Sequence, residues 1–546
     1  MWRTSAGLEQ AMDIRLYDET YYLTQGMAMP VSSWLADYGP LYSLYYKVAS
    51  LFMPDPIGLY YLNYRVWALV FSLSVFYLLW WRSGYFWFAL VWGLCAMCAQ
   101  LNYPVWPKAG HFAMLLVTCG ILGWWRFRRE PALAWCWVSA VCLVVSWCRP
   151  EFFVGFILCL VPGLLAAFRS ANWLKTIATC SLFFIPAWVA MGSWGLPVGR
   201  SGRAIVAFGQ HFVQNRFLMD GRPASDLVWE WVNWRTHFNA WFGQSNSVVS
   251  AFFQHPKLVV EHMLYNFKYL IYNSFVYFSE TLLPMRVLGI PVLTGVAVVW
   301  FCAEWLSGFE GISTGIKSLH RKRLAVLLPL AGFLIGPISG AIIFQPRMHY
   351  ILPVLPIFLF LIGSLCTWYS MPSRFTWAKS VVWPLAGTLV LVFMPDVNAF
   401  YEIKESATTA DANQPPTGYF EPITSPALAN QQKLRFLGKL SYQGEVAIFD
   451  GSTGAAAFIK GRYLEKGKTG FEMDYVVLEN FQAFLKTEDI SVVYVAETQR
   501  FDLFFTRNSS YQEFVATAVA MGWKRLNLPD SKDYLLYRNK AIAVGL

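Results

Sequence analysis

Apolar residues fall along this chain in long unbroken blocks rather than in alternation. A helix that crosses a bilayer needs about 20 such residues. Ten blocks qualify: 61–81, 85–101, 110–125, 132–148, 152–168, 174–194, 286–306, 324–344, 350–370 and 381–395. The first is interrupted by Arg65 and the last is short. The block at 350–370 carries prolines, which membrane helices tolerate. The pattern loosens over 195–285, where a helix-like run, Lys257–Phe278, follows His255-Pro256. After 396 it changes again. Ala407–Ala427 is rich in Thr, Ala and Pro and reads as a linker. Short apolar runs at Glu445–Phe449, Ser491–Ala496 and Tyr534–Tyr537 predict strands, and helix-like segments lie near 427–440, 475–486 and 510–522. The pattern divides the chain into three parts. They are a polar segment over 1–60, a helical domain over 61–395 with a large loop at 195–285, and a small α/β domain over 396–546.

Composition supports a polytopic α-helical membrane protein. Of 546 residues 56% are hydrophobic and 14% charged, against roughly 25% charged in soluble domains. The 26 Trp and 28 Tyr suit aromatic belts at the two interfaces. The ten cysteines lie in or beside the apolar blocks, and Cys95-x-x-Cys98 reads as helix packing rather than redox or metal chemistry. Residues 1–12 lack the apolar core of a cleavable signal peptide. Of the 43 Lys/Arg and 33 Asp/Glu, residues 397–546 hold 16 and 17, leaving 27 against 16 for the rest. The basic excess therefore belongs to the membrane part, and no nucleic acid is needed to explain it.

Basic residues also set the orientation. One set of alternate loops holds Arg82; Arg126, Arg128 and Arg129; Arg169 and Lys175; Lys317, Arg321, Lys322 and Arg323; Arg374 and Lys379. By the positive-inside rule these loops are cytoplasmic, which puts 1–60, 195–285 and 396–546 outside. An outside start with no preceding span leads us to expect a first helix upstream of Met1.

Charges held at a membrane surface suggest function. The first group is Asp13, Asp18, Glu19 and Asp37, the last beside Tyr38 in Asp37-Tyr38-Gly39-Pro40-Leu41. In a helix Asp18 and Glu19 diverge by about 100°, so one carboxylate could take a proton from a reacting hydroxyl while the other binds a base or metal. A bland reading is an acidic helix start. The second group is Arg149-Pro150-Glu151, either a capped turn with a local ion pair or a phosphate contact through Arg149. The third is Gln345-Pro346-Arg347-Met348-His349-Tyr350, where Arg347 suits phosphate better than His349 does. Lys108 and His111 occupy another outer turn. The loop bases Arg200, Arg203, Arg216, Arg222 and Arg235, mixed with Trp229, Trp231, Trp234 and Trp241, could be an interfacial anchor or a lipid-phosphate clamp. The histidines lack metal-ligand spacing, and Asp450-Gly451-Ser452-Thr453-Gly454 fits neither a dinucleotide nor a P-loop pattern.

Leu16-Tyr17-Asp18-Glu19-Thr20-Tyr21-Tyr22-Leu23, the Tyr38-Gly39-Pro40-Leu41 turn, Arg149-Pro150-Glu151 and Arg347-x-x-Tyr350 before Leu352-Pro353 together resemble GT-C fold glycosyltransferases. That superfamily includes the protein O-mannosyltransferases and the lipid A aminoarabinose transferases. The resemblance covers about 13–395 and implies an inverting transfer of sugar from a polyprenyl-phosphate carrier to a glycan, lipid or protein acceptor. The reaction would occur on the outer (periplasmic) face of a bacterial inner membrane. It further implies Asp18 as general base with Glu19 in support. Arg149 and Arg347 would then contact carrier phosphate, with Asp37, Tyr38, Lys108, Glu151, His349 and Tyr350 completing substrate contacts. Two departures stand out: no helix precedes the Asp-Glu segment, and Asn102–Lys108 carries no acid, which leaves a divalent metal open. A flippase or transporter for a lipid-linked glycan and a non-catalytic scaffold are the alternatives; no internal repeat of the transporter kind is visible.

Overall fold

The computed structural model describes residues 5–14, 16, 18–99, 102, 107–198, 202–222, 234–282, 326–367, 376–392, 394, 428–442, 447–450, 454–459, 490–495, 515–529, 531–539 and 541–543. The chain is mostly helical, with a small sheet near its C-terminus. Ahead of the apolar blocks stand α1 (Asp18–Ala28) and α2 (Pro40–Ala49). The blocks then become α3 (Pro56–Ser83), α4 (Phe86–Cys98), α5 (Ala109–Phe127), α6 (Pro131–Ser146) and α7 (Phe152–Phe168). Block 174–194 is two helices, α8 (Trp173–Phe183) and α9 (Ile185–Trp194), bent by 49° where Pro186 follows the break. The expected block 286–306 lies outside the described residues.

By length and composition α3 is the one described helix that could cross a membrane alone, and the bent pair is a second candidate. At 28 residues α3 is about 42 Å long. Its ends follow local chemistry: the Asp55 carboxylate accepts from Gly58 N at 2.7 Å, Pro56 opens the first turn, and Gly84 closes it at φ 74°. Arg65, the charge inside this block, reaches Glu9 at 2.7 Å. Shorter apolar helices, α4, α6 and α7 among them, have 13–17 residues.

Glycine sets how closely α7 meets α14 (Ala331–Ile343). A Cβ on Gly155 would lie 2.1 Å from the Gly332 carbonyl oxygen, and one on Gly336 would lie 2.6 Å from the Glu151 carbonyl oxygen. Gly332, Gly336 and Gly340 recur every fourth residue, a small-residue stripe of the kind that packs membrane helices. Along α7, after the buried Phe152 at its start, the buried positions Gly155, Cys159, Gly163 and Ala167 are all small. Its opposite face exposes Val154, Ile157, Leu158, Val161, Leu165 and Phe168. Gly155→Ala is expected to cost about 1–3 kcal/mol by overpacking. Thermal unfolding against wild type measures it, and an unchanged midpoint would contradict the packing described here.

The long loop folds as α10 (Arg203–Met219), α11 (Trp234–Phe242), α12 (Val248–Gln254) and α13 (Pro256–Leu282). Phe208, Phe212, Phe238 and Phe242 pack against one another. Trp234 belongs to this core, so close to Gly209 that a Cβ there would meet its ring at 2.1 Å. It is therefore a core residue rather than a headgroup anchor; Trp229 and Trp231 lie outside the described residues. The remaining apolar helices are α15 (Leu355–Thr367) and α16 (Thr376–Val392). Cys95 and Cys98 of α4 bury with Ala386 and Val390 of α16, as packing residues do.

In the C-terminal part α17 (Ala429–Lys439) precedes β1 (Ser441–Tyr442), β2 (Ile448–Asp450), β3 (Val492–Val495), β4 (Lys524–Asn527), β5 (Tyr534–Tyr537) and β6 (Ile542–Ala543). The four-stranded sheet runs β2-β3-β5-β4, with β2 and β3 parallel and the other pairs antiparallel, and β1 pairs with β6. The three expected strands correspond to β2, β3 and β5. β4 does not read as a strand because Lys524-Arg525-Leu526-Asn527 is largely polar and exposed. The helix expected at 475–486 lies outside the described residues.

Asp13 ties this part to the N-terminal segment. Its carboxylate accepts from the backbone amides of Asn430 (2.9 Å) and Gln431 (2.8 Å), at the N-terminus of α17. A carboxylate there also meets the positive end of the helix dipole. Gln431 extends the clasp by donating to the Glu9 carbonyl and the Tyr61 hydroxyl, at 2.9 and 2.8 Å. Asp13→Ala is expected to lose about 1–2 kcal/mol. It should also speed limited proteolysis around α17, and unchanged proteolysis would remove this role.

Candidate functional site

Four stretches distant in sequence interlock at one end of the helices. Gly39 has φ 64°, and a Cβ there would strike the Tyr22 ring at 2.7 Å and approach the Cys148 carbonyl oxygen at 3.3 Å. Leu41 N donates to the Trp147 carbonyl at 3.2 Å, and the Cys148 thiol points to the Ala109 carbonyl at 3.4 Å. A Cβ on Gly110 would meet the His349 carbonyl oxygen at 3.1 Å. The Tyr38-Gly39-Pro40-Leu41 turn, the start of α5, the Arg149 turn and the Arg347–Tyr350 turn therefore form one assembly.

Glu19 lies at its centre and is fully buried. One carboxylate oxygen accepts from the hydroxyls of Tyr42 (2.7 Å) and Tyr46 (2.5 Å) and from Asn63 Nδ2 (2.9 Å). The other accepts from the Lys108 backbone amide at 2.5 Å. Four donors from α2, α3 and the α5 entrance make Glu19 a junction. Burial pushes its carboxyl above the usual range, against the pull of these donors. Burial likewise lowers the Lys108 ammonium to about 7, with Glu19 opposing. Lys108 donates to the Asn102 carbonyl and stands 4.8 Å from the centre of the Tyr64 ring. Glu19 and Lys108 thus sit inside the support.

Asp18, one residue earlier in α1, is half-buried. Its charge acts on Tyr22 and on Arg203, which belongs to the long loop. The Arg203 guanidinium stacks over Tyr38 (4.5 Å), donates to the Asp37 carbonyl (3.0 Å) and shares a hydrogen bond with Tyr22. Arg149 lies 4.4 Å over the Tyr350 ring and donates through Nε to Glu151 at 2.8 Å. Its Nη2 is buried with no hydrogen-bond partner among the described residues. Arg347 donates to Gln345 at 2.9 Å and lies 3.3 Å from His211 Nδ1. His349 feels all of these: burial first, then Arg149, Arg347, His211 and Arg203 hold its imidazole well below the usual range. Burial and Arg347 do the same to His211. Both rings lose their charge near pH 7, so the positive charge of this cluster is that of its three guanidiniums.

The long loop holds this arrangement. On α13, His262, Asn266 and Asn273 point at the unravelling end of α14, where the last helical carbonyls lack partners. His262 Nε2 lies 3.0 Å from the Ile343 carbonyl oxygen. Asn266 donates to the Ile342 and Phe344 carbonyls (2.9 and 3.0 Å), and Asn273 to that of Pro346 (3.1 Å). The stretch that precedes Arg347 is thereby fixed.

Asp18, Glu19, Asp37, Tyr38, Lys108, Arg149, Glu151, Arg347, His349 and Tyr350 all lie in this assembly, with unequal parts, whereas Asp13 is engaged at α17. Arg149, Glu151, Arg347, His349 and Tyr350 gather with Asp18. Asp37 contributes its carbonyl to Arg203, and Tyr38 the face of its ring. Arg203 is one of five loop arginines that the sequence does not distinguish, Tyr22 falls inside the Leu16–Leu23 motif with no role of its own there, and His211 is not singled out. The other described loop arginines are engaged elsewhere. Arg216 lies 3.2 Å from Glu261, Arg222 stacks on Phe217 and Arg235 on Trp234; Arg200 lies outside the described residues. Glu19 has its oxygens taken, Asp18 lies among guanidiniums, and no group of three His, Cys, Asp or Glu among the described residues could hold an ion. No protein-family model, curated protein or solved structure matches the chain.

Proposed function

We propose that this protein is a polytopic membrane glycosyltransferase that moves a sugar from a polyprenyl-phosphate carrier to an acceptor hydroxyl, with a GT-C-like arrangement of its helices. The observation that carries the reading is the convergence of Arg149, Arg203 and Arg347 beside half-buried Asp18, with the buried Arg149 Nη2 left over. Guanidiniums offer forked donors that match a phosphate. The two neutral histidines leave the binding of an anion to the guanidiniums. The membrane setting is supported by the apolar outward face of α7, by similar exposed residues on α8, α9 and α13 such as Leu174, Trp188, Val189, Leu264 and Phe275, and by the glycine-lined contact of α7 with α14.

Each group then has a task. The donor already carries its leaving group. The acceptor oxygen attacks the anomeric carbon from the face opposite the phosphate, which inverts that centre. The anomeric C–O bond breaks with its electron pair passing to the phosphate oxygen. Arg149, Arg203 and Arg347 stabilise that charge as it grows, and Asp18 takes the acceptor's proton. Glu19 keeps the segment in place and touches no substrate.

Asp18→Asn tests the proton-transfer role. In membranes holding equal amounts of each protein, transfer from a polyprenyl-phosphate sugar is expected to fall by about 10²–10⁴-fold with donor binding retained. Full activity would remove Asp18 from the mechanism.

A further inference from the structure

At the far end of the same helices lies a second basic site. α5 begins in the assembly around Glu19 and ends, 19 residues or about 28 Å away, at Phe127. There a cavity of about 580 Å³ is lined by Tyr77 and Trp81 of α3, Trp125 and Arg126 of α5, and Arg128 and Arg129. Its volume is that of a small-molecule site. Two guanidiniums stack on Trp125, that of Arg128 at 3.8 Å and that of Arg82 at 4.3 Å from the ring centre. Arg128 also donates to the Trp125 carbonyl at 2.5 Å, and Arg82 to Ser364 on α15 at 2.9 Å. These contacts hold the wall rigid. Among the described residues none of Arg82, Arg126, Arg128 and Arg129 has a carboxylate within 4.0 Å. Arg126 and Arg129 are exposed. The cavity thus joins an aromatic wall to three lining cations, with Arg82 behind Trp125, and none of them has a carboxylate partner among the described residues.

We propose that this cavity binds the phosphate headgroup of an anionic phospholipid in the leaflet opposite the transfer site. The inference rests on the membrane reading above. The occupant follows from the two kinds of wall. Arg126 and Arg129 supply donors for a phosphate diester. Tyr77, Trp81 and Trp125 offer the amphipathic rings that sit at the level of glycerol and the first acyl carbons. Basic pockets between helices on the cytoplasmic side are suited to such headgroups. A bound lipid would tie the end of α3 to the end of α5 and, through Arg82 and Ser364, to α15.

The test uses the full chain in nanodiscs of phosphatidylcholine containing phosphatidylglycerol, with retained lipid counted by native mass spectrometry. Wild type is expected to retain phosphatidylglycerol over phosphatidylcholine by about tenfold or more. The R126Q/R129Q protein should lose that preference, and R126K/R129K, which keeps the charge, should recover most of it. Inorganic phosphate in millimolar excess should not displace the lipid. An unchanged preference in a folded R126Q/R129Q protein overturns the inference, as does failure of a folded R126K/R129K protein to retain phosphatidylglycerol. Displacement by inorganic phosphate points to a free-anion site and overturns it too. Recovery of the wild type in the soluble fraction overturns the membrane reading along with this one. A membrane-embedded protein that retains both lipids equally overturns this inference alone.

Discussion

Glu19→Ala is expected to destabilise the protein by about 3–5 kcal/mol, the range for removing one partner from a buried charged network. The substitution strands the hydroxyls of Tyr42 and Tyr46, the Asn63 amide and the Lys108 backbone amide, all of which now donate to Glu19. It also leaves the buried Lys108 ammonium without its nearest carboxylate. Each buried donor left unmade costs about 1–3 kcal/mol, and partial relaxation of α1 keeps the total below their sum. Glu19→Gln should be milder. Its carbonyl can still accept from the tyrosines, while its amide meets the Lys108 N–H donor to donor. Chemical denaturation of the three proteins in one detergent gives the order wild type, Gln, Ala. A Glu19→Ala protein as stable as wild type, with its activity lost, would return Glu19 to the chemistry.

Much of the helical layout is readable from the sequence, because long apolar blocks leave few choices. Six of the ten blocks correspond to α3 through α7 and the α8–α9 pair, with boundaries within a few residues. Near 324–344 and 350–370, Pro329 and Pro353 sit in 3-10 turns just before the α-helical stretches, since proline lacks the amide that continues a helix. Whether these helices cross a membrane is a matter of their outward faces, which sequence alone cannot assign. Beyond Phe152, α7 shows both kinds of apolar position in one element, small residues buried and large ones such as Val161 and Leu165 exposed.

The site was legible in a different measure. Arg149 and Arg347 stand out because a charge beside an apolar block is costly. Glu19 and Asp18 are adjacent and chemically alike, so nothing local reveals that one is saturated by donors and the other half-exposed. That division depends on Tyr42, Tyr46, Asn63 and the backbone of Lys108, between 23 and 89 positions away. Asp13 is read equally poorly. Its partners are two backbone amides more than 400 positions on, and backbone groups leave no trace in residue identity. For α13 a signal was present. His262, Asn266 and Asn273 are spaced by four and seven, a polar stripe along one face of the helix.

The second large effect concerns Arg203. Three guanidiniums share the phosphate in this account, and Arg203 is the one that also contacts Tyr22 and Tyr38 and acts on Asp18. It therefore links the phosphate to the base. Arg203→Gln keeps polarity and most of the volume while removing the charge, and the fold has other anchors for α10 in the Phe208–Phe242 core. The loss of one preorganised charge stabiliser is worth about 10²–10³ in rate. Arg203→Lys should recover little, because an ammonium cannot provide the forked donors or the flat stack on Tyr38.

The most direct measurement follows sugar transfer and lipid movement together in proteoliposomes loaded with a polyprenyl-phosphate sugar and an acceptor. Wild type should form product with inverted anomeric configuration. Arg203→Gln should form it about 10²–10³-fold more slowly with the protein still folded and inserted. Movement of the lipid-linked sugar across the bilayer without any transfer, or transfer that is indifferent to Arg203, would contradict the account.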